Sequence, residues 1–524
     1  MKISSYLFLV HLVFSTQGLW AQINFQKTFG NAGSDYSFCV RQTADEGYII
    51  IAYTNGCGIG ISGTCMIKTD VNGDSVWTKV YLEGHGNSGQ QTSDGGYIIA
   101  GQTNSFGSGG FDVYLLKTDS SGNSLWSKTF GGINDDFAYS VQETSDGGYI
   151  IAAKTESFGA GNFDVYLIKT DANGDSLWIK TFGGSNIDDG TCVRQTTDGG
   201  YILVGNTTSF GAGSADVFLI KTDASGDTLW SKTLGDTSVD IALTGMQTSD
   251  GGYMILGYTY SFGAGGMEAC LIKTDANGGL AWSKSYGSID NDVAYYGQQT
   301  SDDGYIISGT TNSYGAGNFD VILIKTDLNG DTLWTRSFGG IDNDQGHFVQ
   351  QTVDTGYIVA GFTQSFGAGN RDIYLLKADN DGHIACNEGG TAITVTSSNI
   401  QVAAPAIIVG STNTIVTTGT AVISSGCLDC STCTTTDMDE VVVDNSFIIY
   451  PNPVQEELFV SWDFEIDNGN IKIYNTFGEI IYSDVVFKKS FKKLDLKHLS
   501  AGVYFIRLCE ENRTYCKKLI VRDD

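Results

Sequence analysis

Two sets of acidic side chains recur along the chain at matching intervals. Asp35, Asp136, Asp188, Asp240, Asp292 and Asp344 each stand at the start of a β-rich run, and Asp112, Asp164, Asp216, Glu268, Asp320 and Asp372 each open another. Carboxylates gathered on one face can supply hard oxygen ligands to Ca²⁺ or draw in a cationic ligand. On that reading Asp136, Asp188, Asp240, Asp292 and Asp344 are the calcium candidates. They can equally accept hydrogen bonds from loop amides and fasten turns, the role that regular repetition favours. "DANGD" (171–175) alternates oxygen-bearing residues as a calcium loop does. Asn123, Gly279 and His383 stand in the place of Asp175 in other copies, however, and no distant Glu follows, so turn chemistry is the expected role.

Other reactive groups are sparse. There is no His-Glu-x-x-His and no Gly-x-Ser-x-Gly, and the repeated region holds only His85, His347 and His383. Nucleophilic and zinc catalysis therefore lack their parts. Arginines are few there, among them Arg41, Arg194, Arg336 and Arg371, with no trio apparent. "GCGIGISG" contains Gly58-x-Gly60-x-x-Gly63, a formal dinucleotide fingerprint without the helix it needs. "CLDCSTC" (Cys427, Cys430, Cys433) has metal-like spacing but no fourth close ligand, so disulfides are the expected state. Cys509 and Cys516 flank "EENRTY" and could bridge one hairpin, and Cys57 and Cys65 face each other across a loop. Spacing does not fix the connectivity.

What positions these residues is a repeat. "KTDANGDSLW" (169–178) returns in five variants ending at Trp77, Trp126, Trp230, Trp282 and Trp334, with a degraded copy, "KADNDGHIAC", at 377–386. Seven Gly-Tyr pairs, ending at Tyr48, Tyr97, Tyr149, Tyr201, Tyr253, Tyr305 and Tyr357, set a period of 49 residues once and 52 thereafter. A fixed period near 50 marks a solenoid or a propeller. In unit 130–182, four short β-rich runs are joined by Gly/Asp/Asn turns and none has helical periodicity. "YIIAA" and "VYLI" are continuously apolar, as strands covered on both faces are, and four-stranded blades around an axis meet that need. Asp171 and Gly174 make a tight turn, and Trp178 is expected to wedge between blades. "FQKTF" (25–29) matches "WIKTF" (178–182), while the seventh unit stops at Cys386 without its last strand. The early chain therefore supplies that strand and closes a ring without open edges. The expectation is all-β: a seven-bladed propeller over 23–386, a Ser/Thr-rich β spacer over 387–445, and a small β-sandwich over 446–524.

Composition agrees. Sixty-eight Gly, three Pro and 41% hydrophobic residues suit a turn-rich fold with a core. Residues 446–524 carry 11 Lys+Arg against 12 Asp+Glu, which leaves 19 against 47, or −28 of the net −29, on the rest. So acidic a surface repels nucleic-acid phosphates and anionic lipid. Lys2, the apolar run 6–14 and "STQGLWAQ" read as an export signal over 1–22, cut near Ala21–Gln22, and the run is too short to span a membrane.

The C-terminal segment resembles the sorting domain of type IX secretion found on exported proteins of Bacteroidetes-type bacteria. Tyr450-Pro451-Asn452-Pro453, "IKIYNTFGEII" (471–481), "LSAGVYFIRL" (499–508, with Gly502 and Tyr504) and the closing "KKLIV" carry the resemblance. It implies contact with the secretion machinery, export to the medium or the outer-membrane surface, and removal of the domain through the stretch 434–446. The units look like Gly-rich repeats common beside such tails and, distantly, like quinoprotein-type blades. They do not meet the Ser-x-Asp-x-Gly-x-Thr-Trp spacing of the sialidase Asp box. The expected function is non-catalytic binding or adhesion with a glycan or protein ligand. The alternative is an extracellular hydrolase, lyase or quinoprotein with its site at the channel mouth. No cofactor is certain, calcium being the one candidate.

Overall fold

The computed structural model describes residues 23–55 and 62–384 and, between 388 and 521, the residues of short strands with a few flanking ones. Among the described residues there is no helix. The expected export signal, Cys57, the Cys427–Cys430–Cys433 cluster, Pro451–Asn452–Pro453 and the stretch 434–446 lie outside them. The chain divides into two compact units, 1–434 and 435–524.

The first unit is a ring of seven antiparallel four-stranded blades. Blade 3 shows the plan with Asp136–Glu143, Tyr149–Thr155, Asp164–Thr170 and Ser176–Gly183, from the channel outward. Its second and third strands are buried almost throughout, because each blade is covered by one on either side. Blade 1 begins at Ser34–Gln42 and blade 6 at Asp292–Gln299. Blade 7 consists of Asp344–Gln351, Tyr357–Thr363, Asp372–Ala378 and, as its outermost strand, Phe25–Phe29, which pairs Phe25 with Lys377 and Phe29 with Ile373. The ring is thus closed by the early chain, as the missing strand of the seventh unit required.

The tryptophans wedge between blades. Trp178 of blade 3 meets Tyr201 of blade 4 edge-on at 5.8 Å, and it lies so tightly on the next blade's turn that a Cβ on Gly226 would fall 2.7 Å from the indole. Phe25, in the Trp place, does the same with Tyr48 and Gly73 across the closing seam. "DANGD" is a turn and a latch. Asp171 Oδ1 accepts the amides of Asn173 and Asp175, while Asp175 pairs with Lys128 of the preceding blade at 2.8 Å. Where His383 replaces the aspartate, its partner is Arg336 in place of lysine, with 3.1 Å between the side-chain nitrogens.

The lysine of each "KTD" is buried, or "KAD" in the last unit, and it reaches the aspartate of its own blade's "SDGG"-type turn. Lys169 with Asp146 and Lys221 with Asp198, both at 2.9 Å, are typical of seven such pairs. Burial alone would lift the Asp146 carboxyl. The Thr144 hydroxyl, Lys169 and the Gly148 amide outweigh it and hold the group down at about 2.

The segment expected as a spacer joins the ring. Six short strands, Glu388–Gly390, Thr394–Ser397, Gln401–Ala403, Ile408–Gly410, Ile415–Gly419 and Ile423–Ser424, each pair antiparallel with the outermost strand of one blade. They visit blades 6, 5, 4, 3, 2 and 1 in that order, as a belt running around the ring against the direction of the chain.

In the second unit, Phe447–Tyr450, Glu457–Trp462 and Phe491–Asp495 make one sheet. Gly469–Tyr474, Ile480–Val486, Gly502–Glu510 and Arg513–Val521 make another. Ile449, Leu458, Ile471, Ile506 and Leu519 are among the side chains buried in its core. Cys509 pairs in register with Thr514, and Cys516 with Arg507, which makes the cysteines diagonal neighbours across the hairpin.

Candidate functional site

The two acidic sets meet pairwise at blade junctions. A Cβ on Gly131 would fall 2.1 Å from Asp112 Oδ1 of blade 2 and 2.6 Å from Asp136 Oδ2 of blade 3, so glycine is what lets the carboxylates stand side by side. Gly183 receives Asp164 and Asp188 in the same way, and Gly339 receives Asp320 and Asp344. Each carboxylate also fastens its loops. Asp136 Oδ2 accepts the Gly132 amide at 3.0 Å and the Ser157 hydroxyl at 2.8 Å, and Asp188, Asp240, Asp292 and Asp344 repeat the pattern. Asp164 Oδ2 accepts from Ala160 and Gly161. Burial lifts Asp136 to about 6, with the neighbouring Asp112 adding to the rise against three hydrogen bonds that oppose it. Burial and Asp344 lift Asp320 likewise to about 6. No group of three or more His, Cys, Asp and Glu placed to hold a metal ion occurs among the described residues.

The inner strands carry a different feature. Each breaks its pairing with the second strand at the same place, between Ala138 and Ser140 in blade 3 and at the equivalent step in the other six. The skipped residues are Phe38, Asn87, Tyr139, Thr191, Leu243, Tyr295 and His347. A regular strand sends neighbouring side chains to opposite faces, whereas a bulge re-aims one of them. Here both the bulged residue and its successor (Cys39, Ser88, Ser140, Cys192, Thr244, Tyr296 or Phe348) line one cavity of about 550 Å³ in the channel. Half-exposed aromatic rings crowd its wall: His347 stacks on Phe38 at 6.0 Å and meets Tyr295 edge-on at 4.9 Å. Burial lowers the His347 pKa, so this imidazole is neutral at pH 7. On the other side, Lys154 Nζ sits 4.6 Å from the Phe163 ring centre and 3.7 Å from Asp189.

Below this cavity the channel is crossed by a bar. Arg41 of blade 1 and Arg194 of blade 4 donate to the same hydroxyl, Tyr296 Oη of blade 6, at 3.2 and 3.1 Å, and Tyr296 stacks on Phe348 at 3.8 Å. Cys192 is buried beside Arg194. Burial opposes its ionisation, but the guanidinium charge and the hydrogen bonds around the sulfur bring the thiol below its ordinary value. It donates to the Gly245 carbonyl at 3.4 Å and has no imidazole among its partners.

Sequence reading singled out Arg41 and Arg194 only as members of a sparse set, and it missed the bulged column. Aligning the units on their Gly-Tyr pairs would have exposed the column, since it holds seven positions with six different residue types.

The fold defines the first unit as a propeller whose channel holds a cavity with a differentiated wall, and the second unit matches a known family. Residues 448–522 match the family described as "Secretion system C-terminal sorting domain". This is the type IX sorting domain, and it marks the protein for export to the medium or the cell surface. A comparison with curated proteins found no match. Among solved structures, the chain aligns with a fungal alcohol oxidase of the AA5 family in complex with copper. That alignment has 10% identity, coverage of 95% of this chain and 100% of that one, and a TM-score of 0.41. A tetra-tandem repeat from the extending region of a large adhesion protein aligns at 13% identity, with coverage of 94% and 100% and a TM-score of 0.11.

Proposed function

We propose that the exported propeller is a non-catalytic binding protein that takes the end of a glycan into the channel cavity. The observation that carries this reading is the bulged column, where seven identical backbone devices present unlike side chains to one space. A volume of about 550 Å³ suits a small ligand or one or two sugar rings. Phe38, Tyr139 and Tyr295 offer aromatic faces to the apolar faces of a sugar ring, while Asn87 and Thr191, whose donors are spent on Gln102, Ala138 and Val204, offer acceptor oxygens to its hydroxyls. The acidic pairs act in this reading as fasteners between blades, and the sorting domain as an address cut off after export.

Screening the purified protein on a glycan array, with and without calcium, tests the proposal. Binding is expected in both conditions. The double variant Tyr139→Ala/Tyr295→Ala should lose it at least about tenfold with little change in Tm. Capture of no glycan, or capture indifferent to the double variant, overturns the reading. Release of a shortened product from the bound glycan would favour the enzymatic alternative.

A further inference from the structure

We infer that the far end of the channel, beyond the tyrosine bar, is a separate site for a small oxyanion. A second cavity of about 470 Å³ opens there, lined by Arg41, Arg194, Gln90, Gln142 and Glu143, among others. Neither guanidinium forms an ion pair among the described residues. Both spend a donor on the Tyr296 hydroxyl. Arg194 also donates to the Val193 carbonyl at 2.7 Å and Ser140 Oγ at 3.0 Å, while Arg41 lies 4.5 Å from the Phe348 ring centre with its Nε buried and without a hydrogen-bond partner. Two half-buried cations facing each other without a counter-ion are costly to hold, and a bound anion is the natural complement.

The neighbouring groups are donors too. The Gln142 side-chain oxygen is occupied by the Gln195 amide at 2.7 Å, which leaves its NH₂ group to the cavity. The one carboxylate there, Glu143, has both oxygens engaged by Ser93, through the amide at 2.8 Å and the hydroxyl at 2.7 Å. On a chain of net charge −29 this donor-rich pocket stands apart from the acidic remainder.

Titration calorimetry at constant ionic strength, with chloride as the reference, tests the inference using inorganic sulfate, inorganic phosphate and glucuronate as probes. At least one is expected to bind, and Arg41→Gln should weaken it about tenfold or more while Arg41→Lys retains some of the affinity. Tighter binding of glucuronate would show that the oxyanion arrives on a sugar, and tighter binding of the inorganic ions that it arrives free. Should Arg41→Gln not fold, Gln142→Leu removes a donor without touching the bar and is expected to weaken binding several-fold. The inference fails if no probe binds better than chloride, or if affinity is unchanged in the folded variants. Arg41 lines only the far cavity, so Tyr139→Ala/Tyr295→Ala should leave anion binding intact. The failure of either site can then be told from that of the other.

Discussion

The three outer strands of each blade and its inner strand come from the same repeat, yet they are held to different rules. At the perimeter the residue is copied. The Gly-Tyr tyrosine and the buried lysine are present in all seven units, because each lysine meets the aspartate of its own blade and each tyrosine meets the wedge of the preceding one, a tryptophan in six and Phe25 at the seam. At the bulge of the inner strand the backbone is copied and the residue is not. The bulge recurs in every blade while its occupant runs through Phe, Asn, Tyr, Thr, Leu, Tyr and His. Here the partners differ from blade to blade, Asn87 with Gln102, Thr191 with Val204 and His347 with Ser37 and Phe38, so no single residue is demanded at the position. Repetition therefore marks what the ring needs to stand, and irregularity marks where that demand is lifted.

Deleting residues 23–30 attacks the perimeter hardest. It removes the closing strand with Phe25 and Phe29, each worth about 3–5 kcal/mol when buried, and should lower the Tm by more than about 10 °C. A calorimetric scan within a degree or two of the parent would contradict the seam. Trp178→Ala leaves closure intact and empties one wedge. Because the indole is only partly buried, a loss of about 2–3 kcal/mol in urea unfolding is expected.

Acid comes next. Asp136 and Asp320 sit at about 6 in the folded chain, above the unfolded carboxyl near 3.8, so protonating them favours the fold. Stability from these groups should rise as pH falls from about 7 toward 4. Asp94, Asp146, Asp198 and Asp250 sit at about 2, so their contribution is present above the unfolded value and is lost as pH falls from about 4 toward 2. The Tm should therefore peak near pH 4–5, and a Tm that falls steadily from pH 7 would break the pairing of carboxylates at the junctions.

Thr355 occupies, at φ 68°, a turn position where four units have glycine. Thr355→Gly should raise stability by about 1 kcal/mol, since a β-branched residue is strained in that region. At the inner wall, Tyr295→Ala should shift stability by no more than about 0.5 kcal/mol. A large loss there would erase the contrast between the two regions.

Much of the perimeter could be read without coordinates. The period, the wedge and the orphaned last strand are all visible because "KTDANGDSLW" and "FQKTF" repeat as strings. The bulge has no such string, for it is a change in pairing, and only three of the seven units place a glycine (Gly86, Gly190, Gly346) just before it. The convergence of Arg41 and Arg194 on Tyr296 spans 255 and 102 positions, and only ring closure brings them together. The belt did leave a trace: its strands start at 388, 394, 401, 408, 415 and 423, a short period hidden within a Ser/Thr-rich composition. The carboxylates were found in the sequence, but their pairing around Gly131 and its equivalents depends on how neighbouring blades meet.

That belt has a mechanical consequence. A ring fastened at one seam has a single point of failure, whereas this ring is also hooped, and the hoop is attached by short strands that detach singly and in order. Tension entering from the C-terminal side first loads Ile423–Ser424 on blade 1, then Ile415–Gly419 on blade 2, and so on around to blade 6. Each release lengthens the chain and dissipates work before any blade is disturbed. A protein held at a cell surface by that side would meet shear with a graded, resealable yield, and the seam made by Phe25–Phe29 would carry load only after the hoop had run out.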